Sequence, residues 1–271
     1  MQSVKLVTLS EFQGKPPKPV DDTQLPQVGK TDADVFANNF LEVMQFVFNH
    51  VSLDPANELD QAVMAALKPL GVEPGKSYDP SHAAKLDGSR FREVVEKIIP
   101  GEMAKATDPE WAKQNMVGLF QPKGKMTLER LVLQSIIGPI GQPAFEAVYP
   151  AIATTDGAPM NAMHDYVLRM KGDEMPPAMA FWSATLYDTE HGFFIPNDRK
   201  KYSVGENGGM KLDADGGIAI HIAAEQPEGV PEENWLPINR GDYGIDVIMR
   251  LYAPDLERFQ TWTAPKAEKI G

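Results

Sequence analysis

The spacing of apolar residues changes period once along the chain. From Thr31 it is helical: Thr31 and Asp34 form a capping-box-like start, and Phe36, Phe40, Val43, Met44, Val47 and Val51 follow three or four residues apart. Asp54-Pro55 sets a capping residue before a proline at a first helical position, with Leu59, Val63, Leu67 and Leu70 behind it and Gly71 as the stop. A third helix is expected from Gly88 through Phe91, Val94, Val95, Ile98 and Ile99 to Pro100, and a fourth from Thr127 through Leu128, Leu131, Val132 and Ile136 to Gly138-Pro139. Before them, residues 11–30 hold four prolines and no hydrophobic period, which reads as an extended arm or linker over residues 1–30.

After Pro143 the period falls to two and turn residues recur. Val148–Thr154, Asp156-Gly157 and His164–Met170 read as strand, turn and strand. Phe181–Tyr187, Gly192–Pro196, Tyr202–Val204 and Tyr243–Tyr252 are further strands, and Lys211-Leu212 is expected to form a hairpin with Ile218–Ala223 around Asp213–Gly217. The Phe181–Asp188 run places Phe181, Ser183, Thr185 and Tyr187 on one face and Trp182, Ala184, Leu186 and Asp188 on the other, so Trp182 is expected in the core. The expected fold is α+β: an antiparallel β-sandwich over 143–271 and a mostly α, four-helix layer over 31–142.

The order of short motifs in the second half is specific: Ala147-Val148-Tyr149-Pro150, Phe181-Trp182-Ser183-Ala184-Thr185-Leu186-Tyr187-Asp188, Gly192-Phe193-Phe194-Ile195-Pro196-Asn197, Lys201-Tyr202-Ser203-Val204-Gly205, Asn234-Trp235-Leu236-Pro237 and Met249-Arg250-Leu251-Tyr252. This order resembles the domain of unknown function 1214, a bacterial family in which that domain usually follows a second one, of unknown function 1254. The resemblance covers about residues 145–265, and the helical stretch more loosely. It implies a jelly-roll-like sandwich with helical insertions, and a companion N-terminal domain that this chain lacks. Where relatives resemble Asn-Pro-x-Asn-Arg-Tyr-Ser, this chain has Asn197-Asp198-Arg199-Lys200-Lys201-Tyr202-Ser203.

Composition narrows the function classes. With no cysteine, disulfides, thiolate metal sites and cysteine nucleophiles are excluded. The formal charge of −12 is uneven: residues 1–140 carry 15 basic and 18 acidic groups (−3), and 141–271 carry 11 and 20 (−9). An acidic second half argues against nucleic acid and anionic lipid as partners. No run is apolar enough to span a bilayer, and the start lacks a signal-peptide pattern; the chain is expected to be soluble, in cytoplasm or periplasm.

Candidate chemistry gathers between Tyr187 and Tyr202. Tyr187, Asp188, His191, Arg199 and Tyr202 lie at strand ends, where loops present polar groups together, and a histidine beside a carboxylate can act as a general base. The competing reading is an exposed Thr189–Gly192 turn. Asn197, Asn234, Trp235 and His221 are candidate binding residues, with Trp235 either a stacking platform for a ring or a packing anchor. The five histidines are scattered without metal-ligand spacing, and no nucleophile elbow, phosphate loop or dinucleotide fingerprint is present, so neither a metal nor a cofactor is expected. The expected function is a binding or assembly module acting with a companion N-terminal domain or chain, or with a second copy of itself. The alternatives are a small-molecule hydrolase or lyase and a carbohydrate-binding module.

Overall fold

The computed structural model describes residues 6–270 apart from 18, 20, 21, 32, 123, 139 and 140. The chain divides by its internal contacts into two compact units, Met1–Val95 and Glu96–Gly271. Parts of the expected 1–30 arm, and the Pro139 end of the expected fourth helix, lie outside the described residues.

The first unit is helical. A short helix α1 (Leu9–Phe12) interrupts the expected arm, capped by the Thr8 hydroxyl, which accepts from the Glu11 N–H. The predicted first helix is two, α2 (Asp34–Asn38) and α3 (Phe40–His50), because Asn39 leaves helical geometry at φ −148° and ψ 38°. Asp34 reaches back to accept from the backbone of Lys30 and Thr31 at 2.9 Å each, and it pairs with Arg92. Helix α4 (Glu58–Leu67) starts later than Asp54-Pro55 predicts: the Asn57 side chain accepts from the Leu59 and Asp60 N–H groups and is the true cap. Leu41, Phe48, Leu67 and Val72 form the unit's core. Buried Gln45 ties it to the following loop, donating to Glu73 O and accepting from Glu73 N.

Helix α5 (Gly88–Thr107) runs through Pro100 rather than ending there. A proline removes one N–H donor and crowds the carbonyl four residues back; here helical turns on both sides outweigh that loss. Two further helices follow, α6 (Pro109–Leu119), which the sequence pattern had not shown, and α7 (Leu128–Ile137), which begins where expected, the Thr127 side chain capping it.

The β-rich part holds eight strands: β1 (Ala147–Val148), β2 (Asp165–Met170), β3 (Ala178–Asp188), β4 (Ser203–Gly205), β5 (Ile218–Ala223), β6 (Trp235–Pro237), β7 (Ile245–Pro254) and, after helix α8 (Leu256–Thr261), β8 (Ala267–Ile270). They build two four-stranded sheets, β1-β7-β3-β4 and β6-β5-β2-β8. All pairings are antiparallel except β5 with β6. The α+β class therefore holds, in the form of helices with one antiparallel and one mixed sheet. Inward residues of both sheets merge in one core: Trp182, Ala184, Leu186, Val247, Met249 and Leu251 from the first, Leu168, Ile218, Ile220, Ile222 and Leu236 from the second.

The alternation along β3 is as the sequence predicts. Trp182, Ala184 and Leu186 are buried, while on the other face Phe181, Ser183 and Tyr187 are half-buried and Thr185 is buried, so the strand is covered fully on one side and in part on the other. Strand β7 alternates in step, with Val247, Met249 and Leu251 inward and Asp246, Ile248, Arg250 and Tyr252 outward. The hairpin expected at Lys211–Ala223 does not form. Its turn closes, with Asp213 N donating to Gly217 O at 2.8 Å, but β5 pairs with β2 and β6, and Lys211 is held by Asn234 instead. At Gly205 a β-carbon would meet the Trp182 carbonyl oxygen at 2.4 Å, which is why β4 carries a glycine where it crosses β3.

Candidate functional site

The outward face of the first sheet carries a cleft of about 750 Å³ lined by Thr185, Tyr187, Phe194, Arg199–Ser203, Gly208, Glu232, Glu233 and Arg250. Its floor comes from β3 and β7. Ser183 of β3 faces Arg250 of β7, and Tyr187 faces Asp246. One residue on from the Val148–Leu251 pair, Tyr149 flanks Arg250 on the β1 side. Burial pushes the Tyr149 phenol up, and the Arg250 charge acts in the opposite sense.

One wall is an aromatic ladder. Phe194 bridges to Tyr187, their ring centroids 5.3 Å apart, and stacks on Tyr202 at 4.9 Å with planes only 11° apart. The opposite wall is basic and is built by one side chain. Asn197 donates to the carbonyls of Ile195 (3.1 Å) and Lys201 (2.8 Å) and accepts from the Lys201 N–H, folding residues 197–201 into a turn with Lys200 at φ 51°. That turn presents Arg199, Lys200 and Lys201. Arg199 pairs with Glu232 at 2.5 Å and lies 5.0 Å over the Trp235 ring. Lys201 donates to the Glu232 carbonyl, and burial pulls its ammonium below the usual lysine range. Glu233 pairs with Lys211 at 3.4 Å.

Arg250 stands apart from this compensated set. One of its terminal nitrogens, Nη2, donates to the Tyr187 hydroxyl, and the guanidinium lies 5.5 Å from that ring's centroid. Nη1 is buried and finds no protein acceptor. Arg250, Lys200 and Lys201 make no ion pair among the described residues, and of the three Arg250 alone carries a buried nitrogen with no acceptor. A desolvated guanidinium without a carboxylate is costly, since each buried, unmet donor forfeits about 1–3 kcal/mol.

Of the five candidate catalytic residues, the structure brings Tyr187, Arg199 and Tyr202 together in the cleft and sends Asp188 and His191 elsewhere. Alternation turns Asp188 to the opposite face from Tyr187. Its carboxylate accepts from the His191 backbone at 2.6 Å and lies 3.1 Å from His191 Nδ1, closing an exposed turn. The His191 N–H bond is the main reason the Asp188 carboxyl is held below the usual aspartate range. Asn197 organises the basic turn as described. Asn234 is buried and brackets Lys211, donating to its carbonyl and accepting from its N–H. Trp235 is 5% exposed and donates to Ala223 O, the arrangement of a packing anchor with little indole surface left for a ligand. His221 lies in β5, in the other sheet, with Nδ1 unpartnered; burial first, then Arg169, pulls it below the usual histidine range.

The sequence reading passed over Arg250, Thr185, Phe194 and Lys201. The available signal was the arginine at an outward position of the otherwise apolar run Val247–Leu251. Among the described residues no group of three or more His, Asp or Glu is arranged to hold a metal ion, and no helix is long and apolar enough to cross a membrane.

Residues 146–256 match the family described as protein of unknown function (DUF1214). All of the cleft-lining residues fall inside this DUF1214 segment. Among solved structures, the VPA0106 protein from Vibrio parahaemolyticus is similar at 25% identity with a TM-score of 0.61, over 97% of this chain and 62% of that one. This chain thus spans less than two thirds of the Vibrio protein's length. An uncharacterized protein from Burkholderia cenocepacia matches more weakly, at 17% identity and a TM-score of 0.33 over 51% of this chain and 32% of its own. Comparison with curated proteins gave no match.

Beside Tyr187, Asp246 is a carboxyl that burial pushes above the usual aspartate range. A carboxyl easier to protonate in the folded chain than in the unfolded one costs stability at every pH above its folded value. That cost disappears as pH falls toward the ordinary value of about 3.9. Asp246→Asn is therefore expected to unfold at a higher temperature than the parent chain at pH 7, with the advantage shrinking on acidification. Thermal midpoints measured between neutral pH and the ordinary aspartate range check this, and a constant difference would show that ionisation is not the cause.

Proposed function

We propose that this protein is a ligand-binding module, a jelly-roll-like β-sandwich with helical additions, whose outward cleft takes up a small organic anion. The observation that carries this reading is Arg250: a half-buried guanidinium on the cleft floor whose only acceptor among the described residues is the Tyr187 hydroxyl. A carboxylate entering the cleft supplies the charged acceptor this group lacks, and hydrogen bonds to charged groups are the stronger kind. The site's sign is also local. Arg199, Lys200, Lys201 and Arg250 face Glu232 and Glu233, four cations against two acids, on a chain whose total is −12. A positive cleft on an acidic body selects small anions while the remaining surface repels polyanions.

The cleft lining holds neither histidine nor cysteine, so its Thr185 and Ser203 hydroxyls have no imidazole base beside them. That favours binding over the hydrolase or lyase reading. For macromolecular partners we propose a companion domain or chain, or a second copy; the greater length of the Vibrio protein supports the companion. Titration of the chain with simple carboxylates and with inorganic phosphate, followed by calorimetry or ligand-observed NMR at low and at high salt, tests the anion site. Saturable binding of at least one anion, weakened by salt, is expected; no binding by any anion refutes it.

A further inference from the structure

We infer that the anion is a planar aromatic monocarboxylate, its ring laid on the Phe194–Tyr202 wall and its carboxylate turned to Arg250; this rests on the anion-site reading above. Two features of the cleft, independent of each other, point to this class.

The first is the exposed aromatic surface. Phe194 is 48% exposed, although it sits between two tyrosines in a ladder whose rings are 5.3 and 4.9 Å apart. An apolar ring left open in this cleft offers a flat platform, and offset or edge contacts with a ligand ring are the geometry such rings favour. The second is the count of charges left over. Glu232 is matched by Arg199 and Glu233 by Lys211, so neither acid neutralises Arg250. Lys200 is exposed at the rim and Lys201 is occupied by the Glu232 carbonyl. Arg250 is thus the desolvated cation whose only acceptor among the described residues is a hydroxyl, Lys201 being engaged by a carbonyl, and a forked guanidinium so placed suits one carboxylate. A forked guanidinium presents two parallel donors to a planar carboxylate, whereas a phosphate dianion would need a second free cation and would find Lys201 already engaged by the Glu232 carbonyl.

The two features are one residue apart. Tyr187 touches both, its ring against Phe194 and its hydroxyl on Arg250 Nη2. A ligand whose carboxylate is attached to its ring directly or through a short link spans that distance, with Tyr187 moving aside to give up its hold on Nη2. The volume of about 750 Å³ admits a fused two-ring system.

The full chain is titrated at low salt with 2-naphthoate, benzoate, cyclohexanecarboxylate, benzamide and inorganic phosphate. The expected order is 2-naphthoate, then benzoate, each at least about threefold tighter than cyclohexanecarboxylate, with benzamide and phosphate weaker than all three. Phe194→Leu is expected to bring benzoate and cyclohexanecarboxylate to within about twofold of each other while cyclohexanecarboxylate affinity holds. Should that variant fail to fold, the ligand order on the parent chain decides alone. Equal binding of cyclohexanecarboxylate and benzoate, or tighter binding of phosphate, overturns the aromatic class and leaves the anion site standing. Benzamide binding as well as benzoate, or no anion binding at all, overturns both.

Discussion

Arg250→Gln is expected to weaken carboxylate binding by roughly 30-fold, about 2 kcal/mol, while leaving the fold as stable as before. The two halves of this expectation come from the same geometry. Glutamine at the outward position of β7 keeps a polar side chain, but it removes a half-buried positive charge on the cleft floor that has no carboxylate partner among the described residues. The charge is what an anion gains, and charge-assisted hydrogen bonds are the larger share of such sites. The folded chain loses the packing of the guanidinium against the Tyr187 ring, and it is relieved of an unmet buried donor at Nη1. These two effects are of similar size and opposite sign, so the unfolding free energy from urea titration should stay within about 1 kcal/mol of the parent value. Arg250→Lys keeps the charge without the fork and should fall between the two in affinity. If Arg250→Gln binds as well as the parent, the site is elsewhere; if it unfolds the domain, Arg250 is part of the framework rather than of a binding site.

That Arg250 escaped the reading of the sequence while Tyr187 did not has a physical reason. Tyr187, Arg199 and Tyr202 are close along the chain, and a window of sixteen residues finds them. Arg250 reaches the same floor only through the register of β7 on β3, a pairing set by inward residues such as Leu186 with Val247 and Ala184 with Met249. Side-chain spacing within one segment carries no information about that register. The same limit explains why Asp188 and His191, grouped with Tyr187 by sequence, do not line the cleft. They are near Tyr187 in sequence, but the strand's period of two turns Asp188 away from it, and the carboxylate is used up holding the His191 N–H.

Local pattern succeeded where one element's own face decides the outcome and failed where a distant element does. Strand β3 and the start of α7 at Thr127 were legible because burial alternation and helical spacing are local. The Lys211–Ala223 hairpin was not. Its turn is encoded and forms, but β5 finds better partners in β2 and β6, and buried Asn234 captures the Lys211 backbone. Pro100 misled in the same way, since the rule for proline concerns one hydrogen bond while α5 is held by the turns on either side.

Trp182→Ala should cost about 4 kcal/mol of stability, a large share of the 5–15 kcal/mol typical of a folded domain. Trp182 is 2% exposed and lies at the centre of the core that both sheets share, paired across to Leu251. Truncating it removes the largest side chain among the fully buried ones and leaves a cavity between two sheets whose backbones are fixed by their ladders. Collapse around the gap is limited, because β4 already lies against β3 so closely that Gly205 has no room for a β-carbon. Phe181→Ala, one residue earlier on the outward face, is the matched comparison. Phe181 stacks on Tyr252 at 4.4 Å but is only half-buried, and its loss should cost about 1 kcal/mol. Urea unfolding of the two variants measures the difference, with an unchanged slope expected for both. Equal costs would mean that β3 does not present Trp182 to the core and Tyr187 to the outside, and the cleft floor built on that alternation would have to be abandoned with it.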